Sequence, residues 1–263
     1  MRKRSGIVDT ATQRRIFATL RAALNAVWRT RRIDANPCHF VEMPAEHREP
    51  RLVWSPEQVG HFLEFTADDR LALLYRLVLL HGPRRGEAVG ARWTGYDYDA
   101  KELRVIRPLL QLGARIVESR PKTRAGERTL YLDDGTNDAV KRHRVAQLKE
   151  RLAWGEAYED NDLIWCREDG SPYPPDWVSR HFVDLAERAG LPRIQLHAGR
   201  HTAASLALEA GVDIKVVSER MGHSTTTITR DLYQHVRRAV HDRAAEAVVD
   251  LIPKRERKGQ SAQ

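Results

Sequence analysis

The sequence predicts a mostly α chain with a small antiparallel β-sheet, an α+β class in which helices dominate. Three observations carry this. Apolar residues recur at helical spacing through most of the 263 residues. One window only, 102–132, reads instead as short β-like runs separated by turns. A proline-punctuated connector near 42–53, holding Pro44 and Pro50 in a charged background, sets a short basic stretch apart from a long body.

In order along the chain, residues 10–32 form the first predicted helix. Ile16, Leu20, Leu24 and Val27 share one side of it, while Arg14, Arg21, Arg29 and Arg32 gather on the other. Asn36-Pro37 ends that unit, because the residue before proline is pushed out of the helical region. An apolar stripe on a lone helix needs a partner. The body opens with SPEQ, where Ser55 suits the N-cap, Pro56 the first helical position and Gln58 the far side of a capping box. Arg70–His81 is apolar nearly all round, which predicts a buried central helix. Gly82-Pro83 interrupts it, and a new helical turn starts at Arg84. ELRVIR, ARIVES and RTLYL are the strand candidates of the small sheet, with PKTRAGE in a connecting loop. Helical periodicity returns over 134–153, 176–189, 198–210, 213–221, 225–233 and 237–250.

Composition narrows the function classes. No stretch approaches the ~18 uncharged apolar residues of a membrane span, and the basic start MRKRSGIVDT lacks the apolar core of a signal peptide. Two cysteines, Cys38 and Cys166, are too few for a disulfide framework or a zinc site, so a reducing cytoplasm is expected. The net charge is +8, unevenly spread: residues 1–48 hold ten Lys/Arg against four Asp/Glu, a net +6. The tail KRERK, Lys254–Lys258, adds +3, and 49–253 carries −1. A polyanion such as nucleic acid would be gripped first by the ends.

Four segments offer chemistry. LHGPRRGE places Arg84 just past a buried helix, at a break where its side chain can face a cleft, with Glu87 three residues on to hold it by an ion pair. SRPKTRAGERTLYL puts Lys122 in a loop between strands. LHAGRHTAAS carries His197 and Arg200 three apart, on one helix face. His197 and His201 also have the four-residue spacing of a zinc-binding helix, but Ala198 stands where that motif needs glutamate, and no acidic cluster offers a third ligand, so no metal is expected. MGHSTTTITRDLYQH adds His223, Tyr233 and His235.

Taken together and in order, these segments resemble the tyrosine recombinase (phage integrase) family. GPRRGE is similar to its Gly-x-Arg-x-x-Glu segment, PKT to its β-hairpin lysine segment, HAGR to its His-x-x-Arg helix, MGH to its Gly-His turn, and TITRDLYQH to its terminal Thr-x-x-x-Tyr-x-His segment. The resemblance makes Arg84, Lys122, His197, Arg200, His223 and Tyr233 the catalytic set, with Glu87 in support. It implies a site-specific recombinase that cleaves and rejoins DNA strands through a 3′-phosphotyrosine intermediate, with neither ATP nor metal and so no cofactor. The residue types suit that chemistry. Two guanidiniums can offset charge growing on a phosphate without a metal. A phenol of pKa ~10 needs a base or a positive field to become a nucleophile, and His197 is the candidate base. Lys122 suits proton delivery to the leaving 5′-oxygen. His223 would bond the phosphate or hold Tyr233.

The resemblance also implies an organisation. Residues 1–41 are expected to be a remnant of the helical DNA-clamping (core-binding) domain, 42–53 a linker, 54–252 the catalytic domain and 253–263 a basic disordered tail. Arg14, Arg21, Arg29 and Arg32 would meet phosphates. Double-stranded DNA is the implied partner, bound by a homo-oligomer (a tetramer in the synapse), with accessory DNA-bending proteins and a place on nucleoid DNA in the cytoplasm. Two departures from the family's pattern stand out. Ala198-Gly199 replace the usual Asp-Leu, and glycine inside a helix costs ~1 kcal/mol, so a looser site is expected. Most of the clamp is missing upstream, which predicts weak, salt-sensitive binding and leaves an alternative reading, a catalytically idle DNA-binding remnant. A type IB topoisomerase-like enzyme is a more distant reading, opposed by the domain order. The segment Val236–Ile252 is expected to contact another subunit or to pack on its own domain.

Overall fold

The computed structural model describes residues 8–44, 52–119 and 128–222. The chain divides into two compact units, Met1–Pro50 and Arg51–Gln263.

The first unit is built on helix α1, Thr10–Arg29. Asp9 caps it by accepting from the Thr12 N–H at 2.6 Å. The helix stops three residues short of the predicted 10–32. Arg31 turns left-handed at φ 56°, and the Arg32 N–H reaches back to Val27 O at 3.2 Å, closing the terminus in a Schellman-like wrap. Arg14, Arg21 and Arg29 therefore ride on the helix and Arg32 lies beyond it. No residue of α1 is buried, and Ile16 and Leu20 are exposed. Buried Asn36 anchors the turn that follows: its Oδ1 accepts from Cys38 N–H at 2.9 Å, and its Nδ2 donates to Asn25 Oδ1 at 2.8 Å.

The second unit starts with α2, Pro56–Phe65, whose capping box forms as the SPEQ spacing predicts: Gln58 N–H donates to Ser55 Oγ at 3.3 Å and Ser55 N–H to Gln58 Oε1 at 3.0 Å. Helix α3, Ala72–His81, is the central one, with Leu74, Tyr75, Leu77, Val78, Leu79 and His81 buried. Each of its buried leucines stabilises the fold by about 1.5–3 kcal/mol. Trp54, Phe62, Tyr75 and Phe182 form an aromatic cluster with ring centroids 5.0–6.0 Å apart. Short α4, Arg85–Val89, follows the Gly82-Pro83 break.

The antiparallel sheet is divided in two. One part orders β1 (Tyr96–Asp97), β2 (Glu102–Arg104) and β5 (Thr129–Tyr131) as β1-β2-β5. The other pairs β3 (Leu109–Leu112) with β4 (Arg115–Glu118). The stretch 120–127, which holds Lys122, lies outside the described residues. Helices α5 (Asp134–Trp154), α6 (Pro175–Arg188), α7 (Leu196–Glu209) and α8 (Ile214–Met221) complete the unit. The helices predicted at 225–233 and 237–250, and the tail, lie outside the described residues. No described helix is long and apolar enough to cross a membrane.

Helix α7 packs on α3, and Gly199 is a point of close approach. A Cβ there would sit 3.2 Å from Val78 Cγ1 and 3.3 Å from Leu79 Cδ2, both on buried side chains. The glycine expected to loosen α7 is the residue that lets it lie against α3. Ala203, Ala204, Leu208, Val217 and Met221 then join α7 to α8 in a second small core.

Candidate active site

Helix α3 ends on Gly82 in the left-handed conformation, and Pro83 commits the chain to leave. Arg84 then takes the N-cap position of α4. Its backbone N–H donates to Glu87 Oε2 at 2.6 Å, its Nη1 to Glu87 Oε1 at 2.7 Å, and its Nη2 to Gly222 O at 2.8 Å. The side chain is 49% exposed, whereas that of Glu87 is 5% exposed. Arg84 is thus held from behind by a buried carboxylate while half of it faces solvent.

Arg200 approaches the same place from α7. It is buried, and its Nη1 donates to Gly82 O at 2.6 Å and its Nη2 to Met221 O. A third guanidinium joins them. Arg128, at the entry to β5, donates from Nη1 to Arg220 O at 2.6 Å and from Nη2 to Glu87 Oε2 and, at 3.4 Å, to Gly82 O. Three successive carbonyls at the end of α8, those of Arg220, Met221 and Gly222, therefore accept from Arg128, Arg200 and Arg84. Carbonyls at a helix C-terminus carry the negative end of the helix dipole, so cations suit them.

The charges shape one another. Burial pushes the Glu87 carboxyl up, but Arg128, the Arg84 N–H and the Arg84 guanidinium outweigh it and hold Glu87 below the usual carboxylate range. Burial, with Arg128 and Arg84 beside it, pushes the Arg200 guanidinium down to about 9. Burial likewise lowers Arg128, with Arg84 adding to it and Glu87 opposing. Three guanidiniums and one carboxylate leave the cluster with a net +2, a setting for an oligoanionic group.

His197 sits exposed in the first turn of α7, and His201 is buried one turn on, their rings edge to face at 5.0 Å. His197 lines a cleft of about 330 Å³ with Arg85, Ser179, Gln195 and Leu196. Arg85 is held there by Asp176 Oδ1 at 2.6 Å. Among the described residues no three His, Cys, Asp or Glu side chains are grouped to hold a metal.

The profile of the phage integrase family matches residues 53–239, a span that takes in this whole cluster. The chain belongs to the phage integrase family. Relatives include the XerC-like tyrosine recombinase of Caldanaerobacter subterraneus subsp. tengcongensis, 31% identical over 235 residues that cover 82% of this chain and 60% of the relative. The ICEBs1 integrase of Bacillus subtilis is 26% identical over 84% of this chain and 60% of its own length, and an integrase of Saccharopolyspora erythraea 24% identical over 90% and 66%. The chain thus spans 60–66% of the length of these three relatives. Among solved structures, the Tn1549 transposon integrase in complex with transposon right-end DNA superposes with a TM-score of 0.75 at 22% identity, covering 90% of this chain and 80% of that one. XerA recombinase does so with a TM-score of 0.60 at 17% identity, covering 81% and 67%. At such identities these two likenesses establish the fold.

Within this integrase-family domain, Arg84, Glu87 and Arg200 come together at the α8 turn, and His197 stands on the helix that carries Arg200. Lys122, His223 and Tyr233 lie outside the described residues, although Gly222, next to His223, is the acceptor for Arg84. Arg14, Arg21, Arg29 and Arg32 belong to the first unit. Reading the sequence alone does not single out Arg128. Its one local signal is a position six residues after Lys122, at the start of the RTLYL run.

Proposed function

We propose that the chain is a site-specific DNA recombinase, an integrase that cleaves and rejoins strands through a 3′-phosphotyrosine on Tyr233. The observation that carries this reading is the convergence of Arg84 and Arg200 on adjacent carbonyls, Gly222 and Met221, immediately before His223. Two guanidiniums from different helices at one turn suit a phosphate whose negative charge grows during displacement. Arg84, half exposed, is the one presented to DNA; Arg200 reaches a phosphate when the α8 turn yields, or by sharing the Nη2 that donates to Met221 O. His197 draws the proton from the Tyr233 phenol, the phenolate attacks phosphorus, and Lys122 protonates the departing 5′-oxygen. The phosphodiester energy stays in the tyrosyl ester, so a second 5′-hydroxyl can reverse the step and exchange strands. His223 bonds the phosphate or holds Tyr233.

Family membership and the six positions in order support this reading over an idle DNA-binding remnant. Double-stranded DNA is the proposed substrate, and the DNA-bound Tn1549 integrase is consistent with that. We extend the proposal to a homotetrameric synapse, assisted by DNA-bending proteins, acting on nucleoid DNA in the cytoplasm. Residues 1–41 serve as the clamp segment, 42–53 as linker and 54–252 as the catalytic domain. The test is a nicked suicide substrate carrying the recombination site, on which cleavage traps the protein. A covalent protein–DNA adduct should form with the parent and disappear in Tyr233→Phe. No adduct from the parent at low salt would sink the enzyme reading and leave the DNA-binding one.

A further inference from the structure

Arg128 is the one cation of the cluster that the proposed chemistry does not use. Its side chain is 9% exposed and ion-paired to the Glu87 carboxylate, so it is committed to the protein rather than to DNA. Its guanidinium spans three segments at once: Glu87 on α4, Gly82 O at the end of α3, and Arg220 O at the end of α8. The Nε is buried without a hydrogen-bond partner among the described residues, an arrangement that costs stability and is unneeded for packing alone. An apolar side chain would fill such a place at less cost.

The charge balance shows what the cation does. Glu87 is one buried carboxylate facing two guanidiniums. Arg84 engages Oε1 with its side chain and Oε2 with its backbone, and Arg128 takes Oε2 as well. With Arg128 present the cluster is +2, equal in magnitude and opposite in sign to the charge that a phosphodiester approaches in a pentacovalent transition state. Without it Glu87 is neutralised by Arg84 alone, the cluster falls to +1, and the carboxylate draws the exposed arginine inward. The hold of Arg128 on Arg220 O also fixes the end of α8, two residues before the carbonyl that Arg84 uses.

We propose that Arg128 is a positioning residue for phosphate chemistry, neutralising Glu87 and tying the α3–α4 break to the α8 turn so that Arg84 stays free to meet the scissile phosphate. The proposal rests on the recombinase reading. It also explains why a cation stands just after residues 120–127, whose Lys122 acts on the same phosphate under that reading.

The test is single-turnover cleavage of the suicide substrate at saturating DNA by the full chain and by Arg128→Met. The variant should cleave about 100-fold more slowly, by the scale on which one preorganised donor contributes, while its DNA affinity changes less than threefold. A second substrate, with a neutral methylphosphonate at the scissile position, asks less positive charge of the site. On it the deficit of Arg128→Met should shrink at least tenfold. Equal cleavage by variant and parent overturns the proposal. So does a deficit of the same size on both substrates, which marks a purely structural residue. Where Arg128→Met fails to fold, Arg128→Lys, which keeps the charge and loses the fork, carries the same two comparisons. A parent that forms no adduct at all overturns the recombinase reading itself, and this role with it.

Discussion

A carboxylate as enclosed as that of Glu87 stays ionised in a folded protein only if cations and N–H groups replace the water it gives up. Arg84 and Arg128 supply both, and the depressed Glu87 carboxyl is the electrostatic record of it. Removing the charge while keeping the shape leaves two guanidiniums without their counter-ion, one of them deeply buried. Glu87→Gln should therefore lower the stability of the second unit by about 3 kcal/mol, the scale for breaking a buried pair from one side. Urea unfolding at pH 7 measures it, and a loss under about 1 kcal/mol would mean that the cluster relaxes without its carboxylate. Of these partners only Arg84 was legible in the sequence, because three residues on one helical turn is a local relation. Arg128 was not: its acceptors lie 41, 46 and 92 residues away along the chain. No periodicity encodes contacts that arise only when α3, α4, α8 and β5 have met.

At the scale of elements, local capping decides where helices begin, and α5 has the most heavily used cap. Asp133 accepts from Thr136 N–H at 3.0 Å, from the Thr136 hydroxyl, from His81 Nε2 at 3.1 Å and from Arg76 Nη2 at 3.4 Å. Burial raises its carboxyl, but the Thr136 bonds, with Arg76 and His81, bring it down to about 2. A carboxyl depressed in the folded state stabilises it above the unfolded value of ~3.9, and that stability is lost as pH falls through the folded one. Asp133 is half exposed, so solvent screening reduces the worth of its ion pairs. Asp133→Ala should cost about 1 kcal/mol at pH 7, and the gap between variant and parent should close between pH ~4 and ~2. Unfolding curves across that range check it; a gap independent of pH would assign the loss to packing. The same local logic made the Ser55 cap and the α3 core readable in advance. It failed at the end of α1, where Arg31 adopts a left-handed turn usually left to glycine or asparagine. It failed also at β1 and β3, whose two and four residues are too short to show an alternating pattern.

At the scale of the whole chain, positive charge is concentrated in segments other than the one that holds the arginine cluster. Residues 1–48 carry a net +6, while 49–253 carries −1, so the +2 of the arginine cluster is set in a body that is otherwise slightly negative. On the recombinase reading, a phosphate meets its attraction at the cluster itself, and retention of a duplex falls to the basic segments. On α1, Arg21 and Arg29 are exposed and lie on the side opposite the apolar stripe. Each arginine seated on a phosphate releases a condensed counter-ion and adds about 0.9 to the slope of log K against log salt. Arg21→Ala with Arg29→Ala should therefore reduce that slope by about 2 and weaken binding about 50-fold at 0.1 M salt. Because phosphate contacts carry no base information, the loss should be the same on specific and unrelated duplexes. Fluorescence anisotropy over a salt series reads both quantities. An unchanged slope would remove α1 from the DNA-contacting surface and leave the arginine cluster and the 254–258 basic run to hold the duplex by themselves.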